Sequence, residues 1–300
     1  MRRIAVAGDG AWGTALAHVA RSAGHDVALW TRENPDAGVI ARAEAIIMAV
    51  PAQALGAVVQ RLDLAHGPKL IIAAKGIEQA SGRFMNEVAE AVAPAVDALI
   101  LSGPSFAADV VKGLPTAVTL AGPTFAMAKD WGDALSLPHF RIYASDDVRG
   151  VEIGGALKNV LAIACGIADG RRLGDSARAA LTTRGFAELS RFGRTLGARP
   201  ETLMGLSGLG DLLLTCSSRQ SRNYSFGFAI GEGRTAHEAM SAAKGVVEGA
   251  FTAAIAVKIA HDKGVDMPIA EAVDAIINRG SDPETEIARL LARPAGAEHR

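Results

Sequence analysis

Short apolar runs alternate with stretches of helical periodicity through the first half of the chain. Seven runs are brief, branched or apolar, and bounded by Gly, Pro or polar residues: Arg3–Gly8, Val27–Thr31, Ala45–Val50, Lys69–Ala74, Ala98–Ser102, Ala117–Ala121 and Phe140–Tyr143. They read as strands, and their alternation with helices predicts a largely parallel sheet with helical crossovers. From about Asp147 the pattern changes to helical periodicity, with breaks at Gly170–Gly174, Gly197–Pro200, Gly205–Gly210, Ser217–Ser221, Gly231–Gly233 and Gly264–Pro268. No credible strand follows. The chain therefore reads as an α/β domain over 1–147 and an all-helical domain over 148–300, with Arg293 to Arg300 frayed.

One helical run breaks its own pattern. Val151 to Ala164 is apolar enough to be buried, yet it places Lys158 beside Asn159 in its middle. A buried isolated charge is costly, so such a lysine is paired, pKa-shifted or functional.

Composition excludes several classes. The chain has 300 residues, 49% hydrophobic and 21% charged, which is length for two ordinary domains. A net charge of -1 gives no electrostatic reason to expect nucleic acid or an anionic membrane. Cys165 and Cys216 show no metal spacing, and so few cysteines fit a reducing cytoplasm. Met1-Arg2-Arg3 mimics the start of a signal peptide, but Gly8, Asp9 and Gly10 cut the apolar stretch before an h-region forms. No uninterrupted apolar run reaches about 18 residues, so no membrane insertion is expected.

Candidate chemistry begins at Gly8-Asp9-Gly10-Ala11-Trp12-Gly13, which follows a predicted strand and opens the helix Trp12–Ser22. In that setting the glycines allow a tight turn, close pyrophosphate approach and close helix–strand packing, and the helix N-terminus stabilises phosphate charge. A ligand-free turn or a methyltransferase loop would look similar. After the second strand, Arg32 stands where an NAD-preferring site carries an acid for the ribose hydroxyls. It is expected to pair with a 2′-phosphate, favouring NADPH with NADH also accepted, unless it is only a solvated surface arginine. Lys75 ends the fourth strand, where this architecture binds ligands. Ser102-Gly103-Pro104-Ser105-Phe106-Ala107 offers small residues and one hydroxyl after the fifth. In the helical half, Asp211 follows a glycine-rich turn and either pairs with Lys158 or caps a helix. Ser221-Arg222-Asn223 places an arginine beside a helix start, a phosphate site or simply a capped turn.

Taken in order, these motifs resemble the NAD(P)-dependent sn-glycerol-3-phosphate dehydrogenases of the bacterial type. The likeness rests on Gly8 to Ala17, Lys75-Gly76-Ile77-Glu78, Ser102 to Ala107, Gly155-Ala156-Leu157-Lys158-Asn159-Val160, Gly208-Leu209-Gly210-Asp211-Leu212, Ser221-Arg222-Asn223 and Val246-Val247-Glu248-Gly249. The resemblance implies a Rossmann-like domain followed by a helical domain of the 6-phosphogluconate dehydrogenase type. It implies reduction of dihydroxyacetone phosphate to sn-glycerol 3-phosphate, feeding glycerophospholipid synthesis in the cytoplasm. By position it makes Lys158 the proton donor/acceptor, and Lys75, Gly103, Ser105, Asp211, Ser221, Arg222 and Asn223 the substrate contacts. Ala11, Trp12, Arg32, Lys75, Ala107, Arg222, Val246 and Glu248 fall at its cofactor positions. A homodimer through the helical half is a further expectation from the resemblance.

The chain departs from the family at Asp9 (usually Ala), Ser176 (commonly Asn) and Asp109 (usually Glu). More conspicuously, only about a dozen residues join Arg32 to Ala45, near the lower limit for a crossover, where the family has some tens more. A related hydroxyacid or ketone reductase, or a nucleotide-binding module without catalysis, are the competing readings.

Overall fold

Branched, apolar runs bounded by turn residues pair through their backbones, and the first half of the chain does so in one sheet. The computed structural model describes residues 1–31, 33 and 36–294. Its strands are β1 (Arg3–Ala7), β2 (Asp26–Trp30), β3 (Ala45–Met48), β4 (Lys69–Ile72), β5 (Ala98–Ser102), β6 (Thr116–Ala121) and β7 (Phe140–Ser145), in the order β2-β1-β3-β4-β5-β6-β7. Neighbours run parallel except β5 and β6. All seven expected runs are strands. β1 to β4 stop one or two residues short of their expected ends, because Gly8, Thr31, Val50 and Ala74 already belong to the turns at the carboxyl edge.

Helices cover both faces of the sheet: α1 (Ala11–Ser22), α2 (Ala37–Ala41), α3 (Leu55–Val59), α4 (Met85–Val92), α5 (Ala107–Val111) and α6 (Phe125–Leu135). One face packs Ile46, Met48, Leu70 and Ile72 under α3 and α4, and the other packs Val6, Ile47 and Ile71 under α1. A parallel sheet covered on both sides accounts for strands that are almost uniformly apolar. The six-stranded dinucleotide sheet has the order 3-2-1-4-5-6. Here β3 crosses directly to the far side of β1, so among the described residues no strand lies outside β2.

After β7 the described chain is wholly helical: α7 (Val148–Gly170), α8 (Asp175–Thr195), α9 (Pro200–Leu203), a π-helical turn (Leu206–Gly210), α10 (Asp211–Cys216), α11 (Arg222–Gly231), α12 (Ala236–Ser241), α13 (Glu248–Lys263), α14 (Pro268–Asn278) and α15 (Pro283–Leu291). The expected fraying begins too early at Arg293, whose guanidinium reaches the Asp266 carboxylate at 2.5 Å; residues 295–300 lie outside those described.

α7 organises this half. A helix apolar on every side is stable in water only when surrounded, and nearly all of α7 is buried. Its mean hydropathy of 1.5 over 18 residues would suit a membrane span, although Glu152 and Lys158 interrupt its apolar run; here protein takes the place of lipid, with 94% of that window buried. Glycines set how closely its neighbours approach. A Cβ on Gly166 would lie 2.1 Å from the Tyr224 carbonyl oxygen of α11, and one on Gly227 2.1 Å from that of Ile163. The two backbones are in contact, so Gly166→Ala must push them apart. A loss of about 1–3 kcal/mol is expected from such overpacking, read as a lower urea midpoint with unchanged slope.

Candidate active site

The apolar ends of β1 and α1 frame the glycine-rich turn. Gly8 has φ +116°, a conformation open chiefly to glycine, and a Cβ there would also strike the Ala49 carbonyl at 2.5 Å. A Cβ on Gly13 would lie 2.1 Å from the Gly8 carbonyl oxygen, so this residue lets α1 sit against the strand. Gly10 differs: nothing lies within 4 Å of its missing Cβ. It caps α1 with no side chain bonded to the first-turn amides. That open, donor-rich approach fits the pyrophosphate of a dinucleotide. Trp12, in the first turn of α1, has its Nε1 buried with no partner, while Asp9 is exposed. Ala107 begins α5. Arg32 lies outside the described residues.

The catalytic candidates converge where the sheet edge meets the helical half. Lys75 follows β4, Gly103 and Ser105 follow β5, Lys158 is in the middle of α7, and Asp211 opens α10. Asp211 is 1% exposed and bridges both lysines: its Oδ1 accepts from Lys158 Nζ at 2.7 Å and its Oδ2 from Lys75 Nζ at 2.6 Å. Lys75 also donates to the Gly103 carbonyl at 3.1 Å, which Ser105 Oγ meets at 3.1 Å. A Cβ on Gly155 would lie 2.8 Å from Ser102 Oγ and 3.4 Å from Lys75 Cγ, so only glycine lets α7 approach this sheet edge. Gly154 plays the same part toward the π turn, where a Cβ would meet the Ser207 carbonyl oxygen at 2.4 Å.

Charge decides the protonation states. Burial most strongly, and then the Lys75 charge, bring Lys158 down to about 8, against the opposing pull of Asp211. Burial would raise the Asp211 carboxyl, but the charges and hydrogen bonds of Lys158 and Lys75 outweigh it and hold Asp211 below the usual carboxylate range. The sequence reading foresaw Asp211 as a partner for Lys158; the structure adds that it serves Lys75 equally. It also adds Thr215, whose Oγ1 accepts from Lys158 Nζ at 3.0 Å and donates to Asp211 Oδ1 at 3.2 Å. The signal for Thr215 was its i+4 spacing from Asp211, which puts both on one face of α10.

The remaining candidates form a second tier. Ser221 caps α11 by accepting from Tyr224 N at 3.2 Å. Asn223 is committed to the fold: its Nδ2 donates to Asn159 Oδ1 and its Oδ1 accepts from Gly249 N, each at 2.9 Å. Arg222 lies against Gly245, whose missing Cβ would sit 2.9 Å from a guanidinium nitrogen. Val246 and Glu248 stand at the start of α13, and Glu248 Oε1 accepts from Ala52 N at 3.0 Å, tying the helical half to the loop after β3. Glu248 Oε2 is buried without a partner, and burial raises this carboxyl despite that bond and the Arg222 charge. Among the described residues no cluster of His, Cys, Asp and Glu is arranged to hold a metal ion.

Removing the bridging charge separates these contributions. In Asp211→Asn, Lys158 faces Lys75 without a counter-ion, and its pKa is expected to fall below about 8. The check is the pH dependence of chemical modification at Lys158, read by peptide mapping in Asp211→Asn and in the unchanged protein.

Known proteins with this arrangement are numerous. The family model for the C-terminus of NAD-dependent glycerol-3-phosphate dehydrogenase matches residues 147–288, and that for its N-terminus matches 3–41 and 36–128. Glycerol-3-phosphate dehydrogenase (NAD(P)+) of Parvibaculum lavamentivorans is 48% identical, covering 99% of this chain and 98% of its own. That of Beijerinckia indica is 51% identical with the same coverage. The crystal structure of glycerol-3-phosphate dehydrogenase from Coxiella burnetii superposes with a TM-score of 0.91 at 36% identity, covering 97% of this chain and 99% of that one. The alignment with the Parvibaculum protein spans 327 positions, more than the 300 residues of this chain, so the relative carries residues missing here. The N-terminal family model breaks where its two matched segments meet at 36–41, in the short link between β2 and β3.

Proposed function

The chain belongs to the NAD(P)-dependent glycerol-3-phosphate dehydrogenase family, and we propose that it reduces dihydroxyacetone phosphate to sn-glycerol 3-phosphate with Lys158 as the proton donor. The single observation that carries this reading is the buried Lys75–Asp211–Lys158 bridge between the sheet's carboxyl edge and the helical half.

The nicotinamide dinucleotide, when bound, supplies the hydride. Gly8, Gly10, Ala11, Trp12 and Gly13 would hold its pyrophosphate, with Ala107, Val246 and the unpartnered Glu248 oxygen toward its other groups, and Arg32 at the ribose. The chain's own residues do the rest. Lys158, with a pKa of about 8, is an ammonium at neutral pH and stands in a site with little water. It stabilises the negative charge that develops on the carbonyl oxygen and then gives that oxygen its proton. Asp211 and Thr215 fix its direction through three shared hydrogen bonds. Lys75, anchored on the Gly103 carbonyl and Asp211, adds a second positive charge toward the substrate oxygens. Arg222 and the start of α11 receive the phosphate, and holding that remote group orients the carbonyl. In the reverse direction the neutral Lys158 amine accepts the alcohol proton.

The proposal includes division into a dinucleotide-binding unit over 1–147 and a substrate-binding unit over 148–300. It also includes a cytoplasmic role in glycerophospholipid synthesis and a homodimer through the helical half.

The reaction is tested by oxidation of NADPH and of NADH that depends on dihydroxyacetone phosphate. Lys158→Ala is expected to lower kcat by about 10²–10⁴-fold with the cofactor Kd unchanged. Because the reduction needs the ammonium, wild-type kcat should fall as pH rises through about 8, and the reverse oxidation should rise through the same value. Full activity of Lys158→Ala would remove this residue from the mechanism.

Phosphate recognition gives a separate readout. Arg222→Ala is expected to raise KM for dihydroxyacetone phosphate by about 10–100-fold, the worth of a charge-assisted pair, while leaving turnover of unphosphorylated dihydroxyacetone unchanged. Steady-state kinetics on both substrates decide it.

A further inference from the structure

Away from Lys158, four helices of the second half line a half-open cavity of about 530 Å3. Its floor is the C-terminal half of α7, its walls are α8 and α14, and α15 closes one side. Ile167, Leu181, Ile269, Val273, Ile276 and Leu290 give it an apolar interior. The volume falls within the ordinary range for ligand sites, about 300–1,000 Å3. Nothing in the reaction above uses it.

The polar groups around this cavity are unequally satisfied. Glu188 is 2% exposed, and its oxygens accept from the backbone N–H groups of Ile269 at 2.8 Å and Ala270 at 3.2 Å. Asp266 is paired with Arg293 at 2.5 Å, and Glu286 with Arg289 at 3.2 Å and with Ser281 at 2.7 Å. Each carboxylate at the cavity thus has an ion-pair or hydrogen-bond partner, although Glu286 Oε2 accepts no hydrogen bond. Two of its guanidinium groups are not matched in this way. Arg191 gives one N–H to the Asp266 backbone carbonyl at 3.0 Å and makes no ion pair among the described residues. Arg184, exposed at the rim, makes no ion pair or hydrogen bond among the described residues. An apolar chamber with spare positive charge at its mouth is complementary to an amphiphile of opposite sign.

We propose that this cavity is a second binding site, for a single acyl chain bearing an anionic head group, with the chain between α7, α8 and α14 and the head group at Arg184 and Arg191. The access side is α15. Its Ile287 and Leu290 face the cavity, and at the rim its ties are polar, including Arg171 to Glu284 at 3.5 Å. α15 has only nine residues, and exposed ion pairs of this kind add little to its hold on the rim. A second copy of the chain is a poorer fit, since subunit faces are broad and mutually complementary and this feature is concave.

Dodecanoate, used below its micelle concentration, is the probe. Isothermal titration is expected to show saturable binding at one per chain. Dodecyltrimethylammonium, with the same tail and opposite charge, should bind at least tenfold more weakly, and Arg184→Glu should weaken dodecanoate by roughly tenfold or more. Ala180→Trp, which fills the cavity from an exposed position of α8, should abolish binding while preserving the thermal midpoint. Equal binding of the two amphiphiles, or retention of dodecanoate binding in both variants, overturns the proposal. So does a dimer in light scattering that dissociates in Arg184→Glu, because the face would then belong to a second copy.

Discussion

One carboxylate shared by two ammonium groups governs this molecule. Asp211 is the most deeply buried member of the trio, and each oxygen meets a lysine from a different part of the chain. The helical half supplies Lys158 and Asp211 together, but Lys75 of the sheet half finds its counter-ion only across the junction, and a buried charge without a partner is strongly unfavourable. The bridge therefore makes correct apposition of the sheet edge and the helical half a condition for a low-energy structure. It also leaves the cluster with one positive charge in excess. That remainder is matched only by an anion, so a phosphate-bearing substrate whose carbonyl oxygen becomes negative completes an electrostatic balance that the protein leaves open.

The bridge depends in turn on small residues in α7. Gly154 and Gly155 bring the helix against the π turn and the end of β5, and Gly166 brings it against α11. Side chains at these positions would displace α7 by more than the tolerance of a 2.7 Å hydrogen bond. The same helix is anchored near its start by Glu152, which accepts from Asn86 N of α4 at 2.8 Å. Burial pushes that carboxyl up to about 8, so at neutral pH it sits largely in its uncharged form and adds little to the field around Lys158. Packing and chemistry are thus set by one element.

What could be read beforehand follows from the range of the interactions. Strands were legible because burial on both faces demands uninterrupted branched residues, and the helical half was legible from its periodicity. Lys158 announced itself by its cost. Thr215, the tie from Glu248 to Ala52 and the pair between Arg293 and Asp266 were not seen, since each depends on contacts whose partners are set by tertiary packing rather than local pattern. The amide of Asn223 links α7, α11 and α13, a tie that its place in the Ser221-Arg222-Asn223 motif does not reveal. Strand ends slipped because apolar character continues into the turns that carry the site.

The shortened link after β2 has a mechanical consequence. A sheet that ends at β2 exposes one row of backbone donors and acceptors that an outer strand would otherwise occupy. Such a margin can template further strands, and proteins guard against this by keeping it brief and charged. β2 has five residues, and Asp26 at its start is exposed. The remaining four residues of β2 are apolar, so the brevity of this edge and the charge at its start, rather than a polar face, are what limit the addition of a further strand.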